Sequence, residues 1–321
     1  MAWVTLSLEQ CQAWIALHLA CTTWPSLATQ WARQLALPGM AERLLTEGLA
    51  ALEAALPDLQ ARVQAVQRGQ AFARYMQRLA TEPVQVIPFV DARYPRPLRW
   101  IPDPPPVLYV RGTLVPEDEL AVAVVGTRKP SAYGRLQAQR LSAELVRCGL
   151  TVISGMARGI DSLAHASALE AGGRTLAVLG SGINVVYPPE NRRLYTAISE
   201  QGAVLSEFPL DTKPDRWNFP RRNRLISGLS LGVLVVEATT TSGSLHTARH
   251  ALEQGREVFA VPGRVDSPSS RGTHGLIKHG AKLVEDVEDI LAEFPEAVRQ
   301  ALAQRQPAPA GPPPRRLLHR R

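Results

Sequence analysis

From residue 120 onward one pattern recurs: a short run of mostly Val, Leu, Ile and Ala, then a stretch with helical spacing. The runs are LAVAVV (120–125), LTVIS (150–154), TLAVLG (175–180), AVLSE (203–207), LGVLVVE (231–237) and EVFAV (257–261). Apolar runs without alternating polar positions belong to strands covered on both faces, the condition of a parallel sheet. Between the first two, Ala138, Leu141, Leu145 and Cys148 share one helical face. The alternation predicts an α/β fold, a doubly wound and mostly parallel sheet. Ligands of such sheets bind beyond the carboxyl ends of the strands. There the chain places Gly126-Thr127-Arg128, Ser154-Gly155, Gly180-Ser181-Gly182, Ser206-Glu207 and Glu237.

The flanks differ from this pattern. Residues 1–80 are rich in Ala, Leu and Gln with no strand alternation, and predict a small helical domain broken near Pro38-Gly39. Trp3, Trp14, Trp24 and Trp31 read as its core anchors, with an interaction surface as the alternative. VQVIPFV (84–90) and VLYVRG (107–112) predict short strands, and the prolines between them exclude a helix. The main domain is therefore expected over 81–295. Residues 296–321, ending QPAPAGPPPRRLLHRR, predict a disordered basic tail. That tail carries +5 of the net charge of +7, so a binding face in the body must be argued from local clusters. No apolar run is long enough to span a bilayer, and the N-terminus lacks the basic start of a signal peptide. A cytoplasmic protein without membrane contact is expected. Three cysteines, with no C-x-x-C pair, argue against a disulfide framework and read as small buried hydrophobes.

Several nucleotide motifs are missing. No Gly-Lys pair exists to build a P-loop. Gly180-Ser181-Gly182 ends a strand, but Val185 stands where a dinucleotide fingerprint has its third glycine, and Pro188-Pro189 delay the next helix. No cofactor is expected. The loop GTRKPSAYG (126–134) offers Gly126, Thr127, Arg128 and Lys129, either as a phosphate cradle or as an ordinary turn with exposed basic residues. SGMARGIDSLAH (154–165) repeats the arrangement with Ser154, Gly155, Arg158 and Gly159; Asp161 reads as a helix cap. KPDRWNFPRRNRLISG (213–228) is the densest cluster: Arg216, Arg221, Arg222, Asn223 and Arg224 interleave with Trp217 and Phe219. Cations that follow a phosphate backbone, together with aromatic faces that stack on bases, are what single-stranded nucleic acid requires. Either aromatic could instead pack beneath the loop. Ser242, Gly243 and Ser244 precede a helix whose N-terminus could hold an anion. His246 and His250 have i, i+4 spacing but no third ligand nearby, so no metal is expected. Glu207 and Glu237 are the acid–base candidates, and no nucleophile accompanies them; no catalytic residue is assigned.

At these residues the chain resembles the DprA/Smf family, DNA-processing protein A. The likeness runs from about Asp91 to Ile290 through DPPPVLYVRG, VVGTRKPSAYG, SGMARGIDSLAH, AVLGSGINVVYPPEN, LSEFP, FPRRNRLISGLS, VVEATTTSGSLHTA and FAVPG. The resemblance implies a Rossmann-like domain behind a small SAM-like helical one. It also implies a protein that is not an enzyme. Such a protein binds single-stranded DNA, protects it, and loads the RecA recombinase onto it in natural transformation, as a homodimer through the Rossmann-like domain. Arg128, Arg158 and the 216–224 cluster with Phe219 are the carried-over DNA contacts. His274 and His246 stand where the family usually has Asn and an apolar residue. A C-terminal winged helix, frequent in the family, is not expected here. The alternative is a Rossmann-like phosphoribohydrolase with Glu237 as acid–base, although its PGG-x-GT-x-x-E pattern is missing.

Overall fold

The computed structural model describes residues 6–305 except 24, 36, 38 and 53–56. Five helices come first: α1 (Leu8–Thr23), α2 (Pro25–Leu35), α3 (Met40–Glu47), α4 (Pro57–Arg68) and α5 (Gln70–Thr81). Strands β1 (Gln85–Pro88) and β2 (Val107–Gly112) follow. The alternating region is β3 (Ala121–Val125), α6 (Ala132–Arg147), β4 (Thr151–Ser154), α7 (Ile160–Glu170), β5 (Thr175–Leu179), α8 (Arg192–Gln201), β6 (Ala203–Ser206), α9 (Asn218–Gly228), β7 (Gly232–Val235), α10 (Ser244–Glu253) and β8 (Glu257–Ala260). It closes with α11 (Arg271–Lys278), β9 (Lys282–Leu283), α12 (Val287–Ala292) and α13 (Glu296–Ala303).

The strands form one sheet in the order β1-β2-β6-β5-β4-β3-β7-β8-β9. β1–β2 and β2–β6 are antiparallel and the other pairs parallel. The doubly wound, mostly parallel sheet read from the apolar runs is the sheet observed. Both faces are covered, and the strands divide their side chains between two cores. Ala121, Ala123, Val125, Val233 and Val235 join one cluster; Val122, Val124, Leu234 and Val236 join the other. The strand order reverses between β3 and β7: the chain lays β4, β5 and β6 on one side of β3, then returns to lay β7 and β8 on the other. Their carboxyl ends diverge there and open a crevice.

The first apolar cluster runs without a break into α1–α5. Trp14 and Trp31 meet edge to face at 5.7 Å, and Trp31 meets Phe89 at 5.7 Å. Trp31 also donates its indole N–H to the Pro104 carbonyl at 2.8 Å. These two tryptophans are core anchors; Trp3 and Trp24 lie outside the described residues. The disorder expected from residue 296 is corrected over 296–305. EAVRQALA forms α13, with Leu302 buried and Val298 packed on the second cluster. Arg305 donates to the carbonyls of Gly149 and Glu117 at 2.5 and 3.0 Å. The composition of the Pro-rich end obscured this short amphipathic stretch. No helix among the described residues is long and apolar enough to cross a membrane.

His18 sits inside α1 against the Tyr109 ring, centroids 5.7 Å apart. Burial lowers its imidazole from 6.5 to about 4. The unfolded chain therefore binds a proton that the native chain refuses between these values. This contribution is complete above about pH 6.5 and is lost as pH falls toward 4, at up to about 1.4 kcal/mol per pH unit. Urea unfolding of His18→Leu between pH 4 and 7 should show a flatter pH dependence than the parent; parallel curves would contradict this origin.

Candidate nucleic-acid interface

One wall of the crevice is built from the turns that follow β3 and β7. After β3 the chain turns at Gly126, where a Cβ would stand 2.6 Å from Ile160 Cγ1 and 2.9 Å from the Glu237 carbonyl oxygen. The turn projects Arg128 and Lys129 into solvent before Ser131 caps α6, its Oγ accepting from the Gly134 N–H at 3.0 Å. After β7 the chain passes through Thr239 and Ser242 to α10, and the Ser242 Oγ accepts from the Thr239 N–H at 2.9 Å. The opposite wall is α9 and the loop before it. Together they enclose a cleft of about 940 Å³ at the β3–β7 switch point.

Eleven of the sequence-predicted residues meet at this cleft: Gly126, Thr127, Arg128, Lys129, Arg216, Phe219, Arg222, Asn223, Ser242, Gly243 and Ser244. The Arg128 guanidinium lies over the Phe219 ring at 5.5 Å. Phe219 sits on Gly180, whose Cβ would come 2.7 Å from the ring. The glycine of the failed dinucleotide motif therefore serves as a seat for an aromatic side chain. Ser244 opens α10, and its hydroxyl is buried without a hydrogen-bond partner among the described residues. An unsatisfied hydroxyl at a helix N-terminus, in a cleft with exposed cations, suits a phosphate oxygen.

Residues 85–295 match the family described as DNA recombination-mediator protein A. The chain belongs to that family. It is 46% identical over 215 residues to DNA processing protein DprA of Bacillus subtilis, covering 66% of this chain and 72% of the relative. To protein Smf of Escherichia coli it is 51% identical over 207 residues, 64% of this chain and 55% of the relative. The matched segment thus spans little more than half of some relatives. Among solved structures, DNA processing protein A of Streptococcus pneumoniae superposes with a TM-score of 0.67 at 38% identity, covering 82% of this chain and 96% of that one. DNA processing protein A of Helicobacter pylori, described for its single-stranded DNA binding mode, superposes at 0.60 and 28% identity, covering 70% and 98%.

Within this recombination-mediator fold, seven predicted residues do not line the cleft: Ser154, Gly155, Arg158, Gly159, Trp217, Arg221 and Arg224. Arg224 is corrected outright. It is buried, with Nη2 2.7 Å from Glu207 and Nε 2.6 Å from Asp103, so it holds the fold together. Arg221 also pairs with Glu207, at 3.5 Å, and lies over the Phe208 ring. Arg222 lines the cleft but only 4% of it is exposed; its Nη1 donates to the carbonyls of Gly155 and Val178. Burial lowers its guanidinium to about 10, partly offset by the Asp161 carboxylate. Its expected role as a direct phosphate ligand becomes that of a positive floor under the cleft. Gly155 makes room for it, since a Cβ there would stand 2.5 Å from Arg222 Nη2. Ser154 is buried against the Val124 carbonyl. Gly159, at φ 80°, packs against the Thr127 carbonyl. Arg158 reaches Glu190 at 2.5 Å, and Trp217 is 71% exposed beneath the Arg216 guanidinium at 4.8 Å. Asp161, read as a cap of its own helix, instead accepts from the upstream N–H groups of Gly155 and Ala157.

Tyr187 was missed by sequence reasoning. Its ring lies 5.6 Å from Phe219, and the Arg158 guanidinium lies over it at 5.9 Å. Arg158, Tyr187, Phe219 and Arg128 thus form a continuous cation–aromatic track along the rim. The only signal was a lone aromatic before Pro188.

Removing Arg224 takes its nearer cation from the buried Glu207 carboxylate and leaves it Arg221 at 3.5 Å. Arg224→Ala should cost about 3–5 kcal/mol in urea unfolding, whereas exposed Arg128→Ala should cost less than about 0.5 kcal/mol. Equal stabilities would refute the assignment of Arg224 to the fold.

Proposed function

We propose that this chain binds single-stranded DNA at the β3–β7 cleft and hands it to the RecA recombinase, protecting incoming strands during natural transformation. Phosphates are neutralised by Arg128, Lys129 and Arg216 and by the N-terminus of α10 with Ser244. Asn223 bonds backbone or base edges, and bases stack on Phe219 and Tyr187. The observation that carries this reading is the conjunction, in one cleft, of exposed guanidinium groups with two adjacent aromatic rings. The single-stranded DNA binding described for the Helicobacter pylori relative supports it. We further assign the protein no catalysis of its own, a cytoplasmic location and homodimerisation through the 81–295 domain, with residues 1–80 as a helical accessory domain.

The phosphoribohydrolase alternative needs a free carboxylate. Glu207 is enclosed by Arg224 and Arg221, and both Glu237 side-chain oxygens accept hydrogen bonds. Neither lines the cleft in which a nucleotide would sit.

Fluorescence anisotropy with single-stranded and duplex oligonucleotides across a salt series tests the proposal. Affinity for the single strand should fall linearly in log–log form, and Arg128→Ala should lower the slope by about 0.7, one phosphate contact on a single strand. Affinity should drop across all sequences rather than one. Salt-independent binding, or preference for duplex, would overturn it.

A further inference from the structure

Glu237 lies just beyond β7, 4% exposed, with no cation within ion-pair distance among the described residues. A buried carboxylate without a cationic partner is costly and persists only where hydrogen-bond donors satisfy it. Here the donors are specific. The backbone N–H of Ser131 donates to Oε2 at 2.8 Å, and the Ser269 hydroxyl donates to Oε1 at 2.6 Å. The Glu237 carbonyl accepts from the Thr127 N–H at 2.8 Å. One residue therefore pins both ends of the 127–131 loop, the segment that carries Arg128 and Lys129. The same carboxylate holds Ser269, which lines the cleft from the segment before α11. Gly134 packs so tightly on Oε2 that any side chain there would displace the carboxylate.

We propose that Glu237 is a positioning residue of the cleft: its side chain, bridging Ser131 and Ser269, fixes the separation of two cleft walls and the direction in which Arg128 and Lys129 project. The role rests on the reading of the cleft as a single-stranded DNA site. Its sign is unusual, because a negative charge beside an anion site repels the ligand. Hydrogen bonding is what the residue contributes, and its charge opposes binding. Glutamine can reproduce the bonds: its carbonyl accepts from Ser131, and its amide donates to the Ser269 oxygen, since a hydroxyl serves either way. Alanine cannot, and aspartate, one methylene shorter, cannot span both partners.

The test combines anisotropy on a single-stranded oligonucleotide with hydrogen exchange of the peptide covering 126–134, on the full chain. Glu237→Ala should raise Kd about five- to fiftyfold, the loss expected when buried hydrogen-bonding groups go unpaired, with faster exchange at Ser131. Glu237→Gln, which keeps the bonds and removes the opposing charge, should restore parent-like exchange and at least parent-like affinity. If Glu237→Ala does not fold, Glu237→Asp takes its place and should show the same losses. Parent-like binding and exchange in Glu237→Ala or Glu237→Asp would overturn the proposal, as would Glu237→Gln behaving like Glu237→Ala. If the parent protein binds no single strand, the DNA reading fails by itself. The exchange data then still decide the positioning role, because unchanged protection in Glu237→Ala would remove it.

Discussion

Strands β3 and β7 lie side by side although β4, β5 and β6 separate them in sequence, and the cleft depends on that pairing. Their parallel register, Val122 with Gly232 through Val125 with Val235, brings Gly126 level with the residues that follow β7. The approach is close enough that Gly126 has no room for a side chain and Thr127 bonds the Glu237 carbonyl. From this tight junction the two chains must part, one toward α6 and the other toward α10, because each strand continues into a helix on a different part of the sheet. A crevice with backbone N–H groups and helix starts along its edges is the geometric result. The proposed DNA site thus uses a crevice that the strand order of a doubly wound sheet creates.

The charges divide into two populations. Arg222 and Arg224 are inside, each fixed by carbonyl or carboxylate oxygens, and they shape the floor and the back of α9. Arg128, Lys129 and Arg216 are outside and free to meet a ligand. The buried positive charge still matters at the cleft: Arg222 is held at a lowered pKa mainly by burial, with Arg128 adding to the repulsion. An anion placed between them would relieve that repulsion. Phe219 and Tyr187, 5.6 Å apart, set an aromatic surface beside these charges, the kind of surface that would stack on any base.

The sheet was legible because apolar runs covered on both faces leave a plain signature, and each of the six runs from 120 to 261 became a strand. The two-residue β9 has no such run and could not be read. The turn motifs were legible as a set, because glycine and small residues at strand ends have few other uses. Arg222 was misjudged although the information was present. It precedes Leu225, Ile226 and Leu229 by three, four and seven residues, so a helix places it on the apolar face. Arg224 was not legible, since its partners Glu207 and Asp103 arrive from distant segments. Tyr187 joins Phe219 only through tertiary packing. The start of α13 was hidden by the proline-rich composition after it.

The most direct test of the central claim, that a strand of DNA stacks along the Tyr187–Phe219 track, is photocrosslinking. Single-stranded oligonucleotides carrying iodouracil at one position would be irradiated with the full-length protein and the adducts mapped by mass spectrometry. Adducts concentrated on Phe219 and Tyr187, lost at high salt and in Arg128→Ala, are the predicted result. Adducts on exposed Trp100 or on α1–α5, with none at the cleft, would contradict the account.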